Sequence, residues 1–89
     1  MRVQVSYLGR VQGVGFRATA RAIAAGYRVT GWVRNEPDGS VVLQAQGEDG
    51  EVRAFLGAIR GEMGELIQHM DEVPVSDERG ESGFMIRRA

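Results

Sequence analysis

Hydrophobic residues recur along the first third of the chain with two different periods. In residues 2–8, Val3, Val5 and Tyr7 alternate with polar positions, which is the pattern of a strand with one buried face. After a glycine-rich segment, apolar residues return at the spacing of one helix face. They are Phe16, Ala20, Ile23, Ala24 and Tyr27. This part of the chain therefore predicts a strand followed by a helix that ends near Gly26.

The rest of the chain repeats these patterns in the order strand, strand, helix, strand. Residues 29–35 and 41–46 have strand character, and Pro37 and Gly39 between them predict the turn of a β-hairpin. A second helical pattern follows, carried by Val52, Phe55, Leu56, Ile59 and Met63. The pattern weakens over residues 66–75, where Pro74 indicates an edge strand or a bulge. Residues 83–87 predict a last strand.

These elements predict a single α+β domain over residues 1–89. The order is β-α-β-β-α-β, with or without a short additional C-terminal strand. It is that of the ferredoxin-like sandwich, and we expect two helices packed on one face of an antiparallel sheet. A chain of 89 residues can form one hydrophobic core and has no room for a separate ligand-binding domain. Any function must therefore come from a small site.

Composition narrows the functions that this domain can perform. The net charge of −1 argues against nucleic-acid binding, which favours a basic surface. No stretch has the length and apolar character of a signal peptide or a membrane span. The chain has no cysteine and one histidine, so we expect neither a disulfide nor a metal site. We expect a cytoplasmic monomer that binds neither nucleic acid nor membranes.

The segment from Gly9 to Arg17, GRVQGVGFR, combines three glycines with two arginines between the first strand and the first helix. Glycine permits left-handed backbone and close approach to a ligand, and the first N–H groups of a helix have no internal partner. Arg17 falls in the first turn, where a cation opposes the helix dipole unless an anion is bound nearby. The segment predicts a phosphate site with Arg17 as a ligand. The alternative is a connecting turn with a solvated Arg17.

Asn35 is predicted to lie at the same edge of the sheet as this loop. The two strands of a right-handed βαβ unit run parallel, so the loop after the first strand and the end of the second strand meet. If Val33 faces the helices, strand alternation turns Asn35 to the same side. Its amide would then hold a water molecule beside a bound phosphate. The alternative is an asparagine that only ends the strand and begins the turn.

Two segments together resemble the signature sequences of the acylphosphatase family. They are GRVQGVGFR at residues 9–17 and GWVRN at residues 31–35, the latter followed by DGSV at residues 38–41. The resemblance covers nearly the whole chain. It implies hydrolysis of the carboxyl–phosphate bond of small acyl phosphates, with inorganic phosphate as product and without metal or cofactor.

The resemblance also implies a role for each residue of the two segments. Arg17 would bind the phosphate and Asn35 would position the attacking water. The backbone N–H groups of the loop would complete the phosphate site; they belong to Gln12, Gly13, Val14, Gly15 and Phe16. Glu36 departs from the family pattern, and we expect its carboxylate near the mouth of the site.

Other residues have simpler interpretations. Trp32 is expected to cover the open face of the sheet, and His69 to be solvated. Arg87 and Arg88 are expected to form a polar end of the last strand.

Two other functional classes stay open at this point. A single-stranded RNA-binding domain shares the element order but needs exposed aromatic residues and a basic face, and a phosphate sensor would keep the anion site without catalysis.

Overall fold

The computed structural model of the protein describes residues 1–88. Within them, five strands and two helices follow one another. Their bounds are β1 Arg2–Gly9, α1 Phe16–Ala24, β2 Thr30–Asn35, β3 Val41–Gln46, α2 Asp49–Met63, β4 Ile67–Pro74 and β5 Phe84–Ile86. A short 3-10 helix, Gly64–Leu66, joins α2 to β4. Neither helix in this part of the chain has the length and apolar character needed to cross a bilayer.

The strands form one sheet in the order β4-β1-β3-β2-β5. β1 pairs antiparallel with both β3 and β4, and β2 pairs antiparallel with β3, as the hairpin pattern predicts. The last strand differs, because β5 runs parallel to β2 with Ile86 opposite Val33. The chain crosses the sheet after β4 and reverses its direction before it pairs again. The five-stranded sheet is therefore mixed, and the predicted antiparallel arrangement holds for β1 to β4 only.

One face of the sheet carries the hydrophobic core. Val5, Val33 and Leu43 are fully buried on the face that the helices cover. The helices contribute the apolar faces predicted from the sequence. Their buried residues are Phe16, Ala20, Ala24, Val52, Phe55, Leu56, Ile59 and Met63. The predicted ferredoxin-like α+β fold is confirmed.

The opposite face of the sheet is covered by its own side chains. Trp32 is only 6% exposed there, as its predicted covering role requires. The guanidinium groups of Arg34 and Arg87 lie 4.8 and 5.0 Å from the centre of its ring. A guanidinium over an indole face is a favourable cation–π arrangement, so these arginines shield the tryptophan from water.

The end of α1 differs slightly from the sequence prediction, whereas the edge strand predicted over residues 66–75 is confirmed. α1 ends at Ala24, and the chain leaves it through two turn hydrogen bonds, from Gly26 N–H to the Ile23 carbonyl and from Tyr27 N–H to the Ala24 carbonyl, both 3.0 Å long. The weakly patterned segment forms the edge strand β4, most of whose residues are exposed. In an edge strand with little burial on either face, hydrophobic and polar residues need not alternate, which explains the weak pattern in the sequence.

Candidate active site

The loop between β1 and α1 has an unusual backbone at two glycines. Gly13 and Gly15 have φ angles of 74° and 78°, and Gly15 is the residue that precedes the first turn of α1. A residue with a side chain loses roughly 1–2 kcal/mol in this left-handed conformation. A Cβ atom at either position would meet no other atom within 4 Å. The glycines are therefore required by the backbone conformation, and not by crowding.

The backbone N–H groups of this loop have no acceptor in the part of the protein that the structure describes. Within residues 1–88, no hydrogen bond joins the N–H groups of residues 12–18 to another protein group. The first N–H of the helical ladder that is satisfied belongs to Thr19, which donates to the Gly15 carbonyl at 2.9 Å. Successive free N–H groups in a left-handed loop at a helix N-terminus form a concave surface that attracts anions.

Arg17 lies in the first turn of α1, beside these N–H groups. It lines a pocket of about 270 Å³ whose other lining residues are Val11, Gly13, Gly15, Phe16, Ala18, Asn35, Ile86 and Arg88. The side chain is half-buried, and within residues 1–88 it forms no ion pair with a carboxylate. Neither the pocket wall nor the first turn of α1 contains an acidic residue in the described chain. The local charge of the pocket is therefore positive.

Asn35 lines the same pocket from the end of β2. Val33, two residues earlier on the same strand, is fully buried under the helices, so alternation turns Asn35 toward the helix side as well. Its side chain forms no hydrogen bond with another protein group among residues 1–88. The structure thus brings together Arg17 and Asn35, which are 18 positions apart in the sequence.

Gln12 holds the loop in place through its side chain. Its amide Nε2 donates to the carbonyl oxygens of Glu36 and Ser40, at 2.8 and 2.9 Å. Both carbonyls belong to the turn that follows Asn35, so this amide ties the glycine loop to the strand end beside it. From the sequence, only the backbone N–H of Gln12 was expected to contribute to the site, and this side-chain contact was not predicted. Its partners lie 24 and 28 residues away, which no local pattern reveals.

The turn itself is fixed by Asp38. Its Oδ1 accepts hydrogen bonds from the Ser40 backbone N–H at 2.9 Å and from the Ser40 hydroxyl at 2.6 Å. These bonds lower the pKa of the Asp38 carboxyl below its ordinary value. The turn that receives Gln12 is therefore itself ordered, because the aspartate bonds the backbone two residues further on.

Phe16 anchors the start of α1 in the core. Its ring is 2% exposed and lies 4.9 Å from the ring of Tyr7 on β1. Burial, and to a lesser extent the Glu72 carboxylate, raises the pKa of Tyr7 above its ordinary value, so this phenol stays neutral. Val14, by contrast, is exposed at the tip of the loop. The loop is thus held at both ends, by Gln12 and Phe16, while its middle remains open.

Two predictions about charges around the pocket need correction. Glu36 does not line the pocket, because alternation places it on the opposite face of the sheet from Asn35; there it forms an ion pair with Arg34 at 3.2 Å. Arg88 was expected only as part of a polar end, yet it lines the pocket. Alternation from Phe84 and Ile86 would have placed Arg88 on the helix side, had the last strand been extended by one residue.

Taken together, these groups are of the kind that suits a small tetrahedral anion. They offer free N–H donors and a planar guanidinium, with a carboxamide alongside. Residues 1–88 contain no group of three or more histidine, aspartate or glutamate side chains placed to hold a metal ion. The chemistry that this arrangement supports is the binding of a phosphate group and the orientation of a water molecule next to it.

Comparisons with known proteins show the family to which the chain is related. A family model described as Acylphosphatase matches residues 3–86. An acylphosphatase from Oceanobacillus iheyensis is 51% identical over 57 residues, which span 64% of this chain and 63% of that relative. One from Methanospirillum hungatei is 42% identical over 91 residues, or 98% of this chain and 97% of the relative. The crystal structure of acylphosphatase from Bacillus subtilis has a TM-score of 0.85 at 26% identity and covers 97% of both chains.

Proposed function

The chain belongs to the acylphosphatase family, and we propose that it hydrolyses small acyl phosphates with the loop of residues 12–16, Arg17 and Asn35 as its catalytic site. The observation that carries this proposal is the meeting of three features in one pocket. They are a loop with free N–H groups, a guanidinium without a carboxylate partner in the described chain, and a carboxamide at the neighbouring strand end.

In this proposal, the phosphate is bound by the loop and Arg17. The terminal oxygens of the phosphate accept hydrogen bonds from the backbone N–H groups of residues 12–16, and the guanidinium of Arg17 donates to two of them. A planar guanidinium suits this role better than an ammonium because its paired donors match two phosphate oxygens. The bound negative charge also compensates for the positive end of α1, which has no acidic residue in its first turn.

Asn35 orients the attacking water in the proposed reaction. Its carboxamide oxygen accepts a hydrogen bond from water and aims the water oxygen at phosphorus. A neutral amide cannot take the proton at neutral pH. As the water oxygen bonds to phosphorus, the bond to the acyl oxygen breaks and the carboxylate leaves with the electron pair. The proton of the water passes to an oxygen of the substrate itself, its phosphate or its acyl oxygen.

This division of roles suits the chemistry of the substrate. An acyl phosphate carries a good leaving group, so its hydrolysis requires positioning and charge stabilisation more than covalent help from the protein. No step depends on a titrating protein side chain. The pocket lining accords with this, since it contains no histidine and no carboxylate among residues 1–88.

The test is turnover of benzoyl phosphate by two variants. Asn35→Ala should lower kcat by about 10²–10³-fold, by analogy with the loss of one donor from an oxyanion hole. Arg17→Gln should raise KM, because the guanidinium binds the phosphate of the ground state, and lower kcat, because it binds the charge that develops in the transition state more strongly. The measurement is steady-state release of inorganic phosphate.

Arg21→Gln is the matched control, because Arg21 is an exposed arginine in the last turn of α1 and does not line the pocket. It should retain the rate of the wild type. A near wild-type rate for Asn35→Ala would refute the role of this residue. Binding of inorganic phosphate by a wild-type protein that turns over no acyl phosphate would refute catalysis and favour a phosphate sensor.

A further inference from the structure

Arg88 lies beside the proposed catalytic site but has no task in the reaction described above. β5 pairs with β2 in parallel register, with Ile86 opposite Val33, and the Arg87 N–H donates to the Val33 carbonyl at 2.8 Å. Continuing this register by two residues on each strand brings Arg88 next to Asn35. The backbone therefore places Arg88 beside the residue proposed to position water.

The two adjacent arginines of this segment point to opposite faces of the sheet. The guanidinium of Arg87 lies 5.0 Å from the centre of the Trp32 ring, on the face away from the helices. Arg88 turns to the helix side, where it lines the pocket together with Ile86 and Arg17. Arg88 is exposed at the rim, whereas Ile86 is half-buried below it. The pocket wall on this side is thus apolar inside and cationic outside.

Binding of the phosphate alone does not explain why a second guanidinium, that of Arg88, lines the pocket. The three terminal oxygens of the phosphate already face the N–H groups of the loop and the two donors of Arg17 in the proposed complex. No carboxylate of residues 1–88 pairs with Arg88, and no acidic residue among them lines the pocket. The remaining part of a bound substrate is its acyl group, which must extend from the phosphate along one wall of the pocket.

We propose that Arg88 determines substrate specificity by binding a second negative charge on the acyl group, so that the site favours acyl phosphates that carry a further carboxylate. The carbon skeleton of such a substrate packs on Ile86, and its carboxylate reaches the guanidinium at the rim. This inference rests on the proposed function, because it concerns the same pocket and the same reaction.

The experiment compares two substrates of matched shape, benzoyl phosphate and para-carboxybenzoyl phosphate. Arg88→Gln should lower kcat/KM for the carboxylated substrate relative to benzoyl phosphate by about two- to fivefold, the upper part of the range for an exposed ion pair. The loss should appear mainly in KM, because the contact is the same in the ground state and in the transition state. Arg88→Lys keeps the charge and should retain part of the preference.

Arg21→Gln removes the same charge from α1 outside the pocket and should leave the ratio of the two kcat/KM values unchanged. An unchanged ratio in Arg88→Gln would overturn the inference while leaving the proposed function intact. Equal losses for both substrates would overturn it as well, since Arg88 would then act on the shared phosphate. Turnover of neither substrate by the wild type would refute the proposed function itself.

Discussion

Arg2 and Arg17 have the same side chain but differ in the hydrogen-bond acceptors that surround it. Arg2 lies on the face of the sheet away from the helices and is 2% exposed. Its guanidinium donates to Gln44 at 2.7 Å, to Gln46 at 3.0 Å, and to both carboxylate oxygens of Glu81 at 2.8 and 3.1 Å. Arg17 is half-buried beside a loop of free N–H groups and has no such acceptor within residues 1–88.

The difference separates a structural arginine from one whose proposed role is to bind a ligand. A guanidinium taken out of water needs acceptors, and the protein supplies them all to Arg2. At Arg17 the protein adds further positive charge, through the N-terminus of α1, and supplies no carboxylate in the described chain. The start of α2 confirms that the omission is local, since it carries Asp49 and Glu51 in its first turn.

The largest expected effect on stability comes from removing the ion pair between Arg2 and Glu81. Glu81→Gln leaves a buried guanidinium without its counter-charge and should lower the free energy of unfolding by about 3 kcal/mol, at the low end for buried ion pairs because Glu81 is partly exposed. Arg17→Gln removes a cation that opposes the dipole of α1, so its stability should equal or slightly exceed that of the wild type. Urea unfolding at pH 7 measures both.

The pH dependence of the same pair provides the control. Hydrogen bonds from Arg2 hold the pKa of Glu81 below its ordinary value of 4.5. Because the folded pKa is the lower one, this stabilisation is fully present above pH 4.5 and is lost as the pH falls through the folded pKa. The difference in stability between the wild type and Glu81→Gln should therefore shrink in acid. Equal stabilities at pH 7 would contradict the structural role of the pair.

Most of the fold could be predicted from the sequence, because burial on one side imposes a period. Val3, Val5 and Tyr7 alternate in β1 because only their face meets the helices. The same alternation from Val33 placed Asn35 on the correct side of β2. The part that escaped prediction is the parallel pairing of β5, which depends on a chain reversal after β4 and not on a pattern of burial.

Side-chain contacts between distant parts of the chain, both at the site and on the opposite face of the sheet, were less accessible to sequence reasoning. Gln12 reaches carbonyls 24 and 28 residues away, and Arg2 reaches a glutamate 79 residues away. Such contacts depend on which strands become neighbours, and the identities of single residues do not specify this. Glu36 was placed near the mouth of the site by its position in the chain alone; strand alternation carries it to the other face.

A bound phosphate should sharpen the contrast between the two arginines. If inorganic phosphate occupies the pocket, a concentration of 100 times its dissociation constant should stabilise the wild type by about 2.7 kcal/mol. For a domain of this size, that corresponds to a rise in Tm of roughly 10–20 °C. Arg17→Gln should lose most of this rise, whereas Glu81→Gln, although less stable, should keep it. Thermal unfolding with increasing phosphate measures the effect, and an equal rise in both variants would place the anion elsewhere.

The smallest expected effect tests the two helix N-termini by exchanging their charges. Ala18 is exposed in the first turn of α1, and Ala18→Glu introduces there the acidic residue that α2 already has. Compared with the neutral Ala18→Gln, it should stabilise the phosphate-free protein by about 0.3–1 kcal/mol, because a carboxylate compensates for the helix dipole. It should also abolish the stabilisation by phosphate, because the new carboxylate repels the anion.

Asp49→Asn makes the reverse change in α2 and should lower the stability by a similar amount while leaving phosphate stabilisation intact. Urea unfolding without phosphate measures the stability of each variant, and unfolding with phosphate measures how much the anion stabilises it. If Ala18→Glu binds phosphate as well as Ala18→Gln does, the N-terminus of α1 is not the anion site. Because the glutamate and glutamine variants have nearly the same shape, a difference between them reports charge alone, and with it the electrostatic distinction between the two helices.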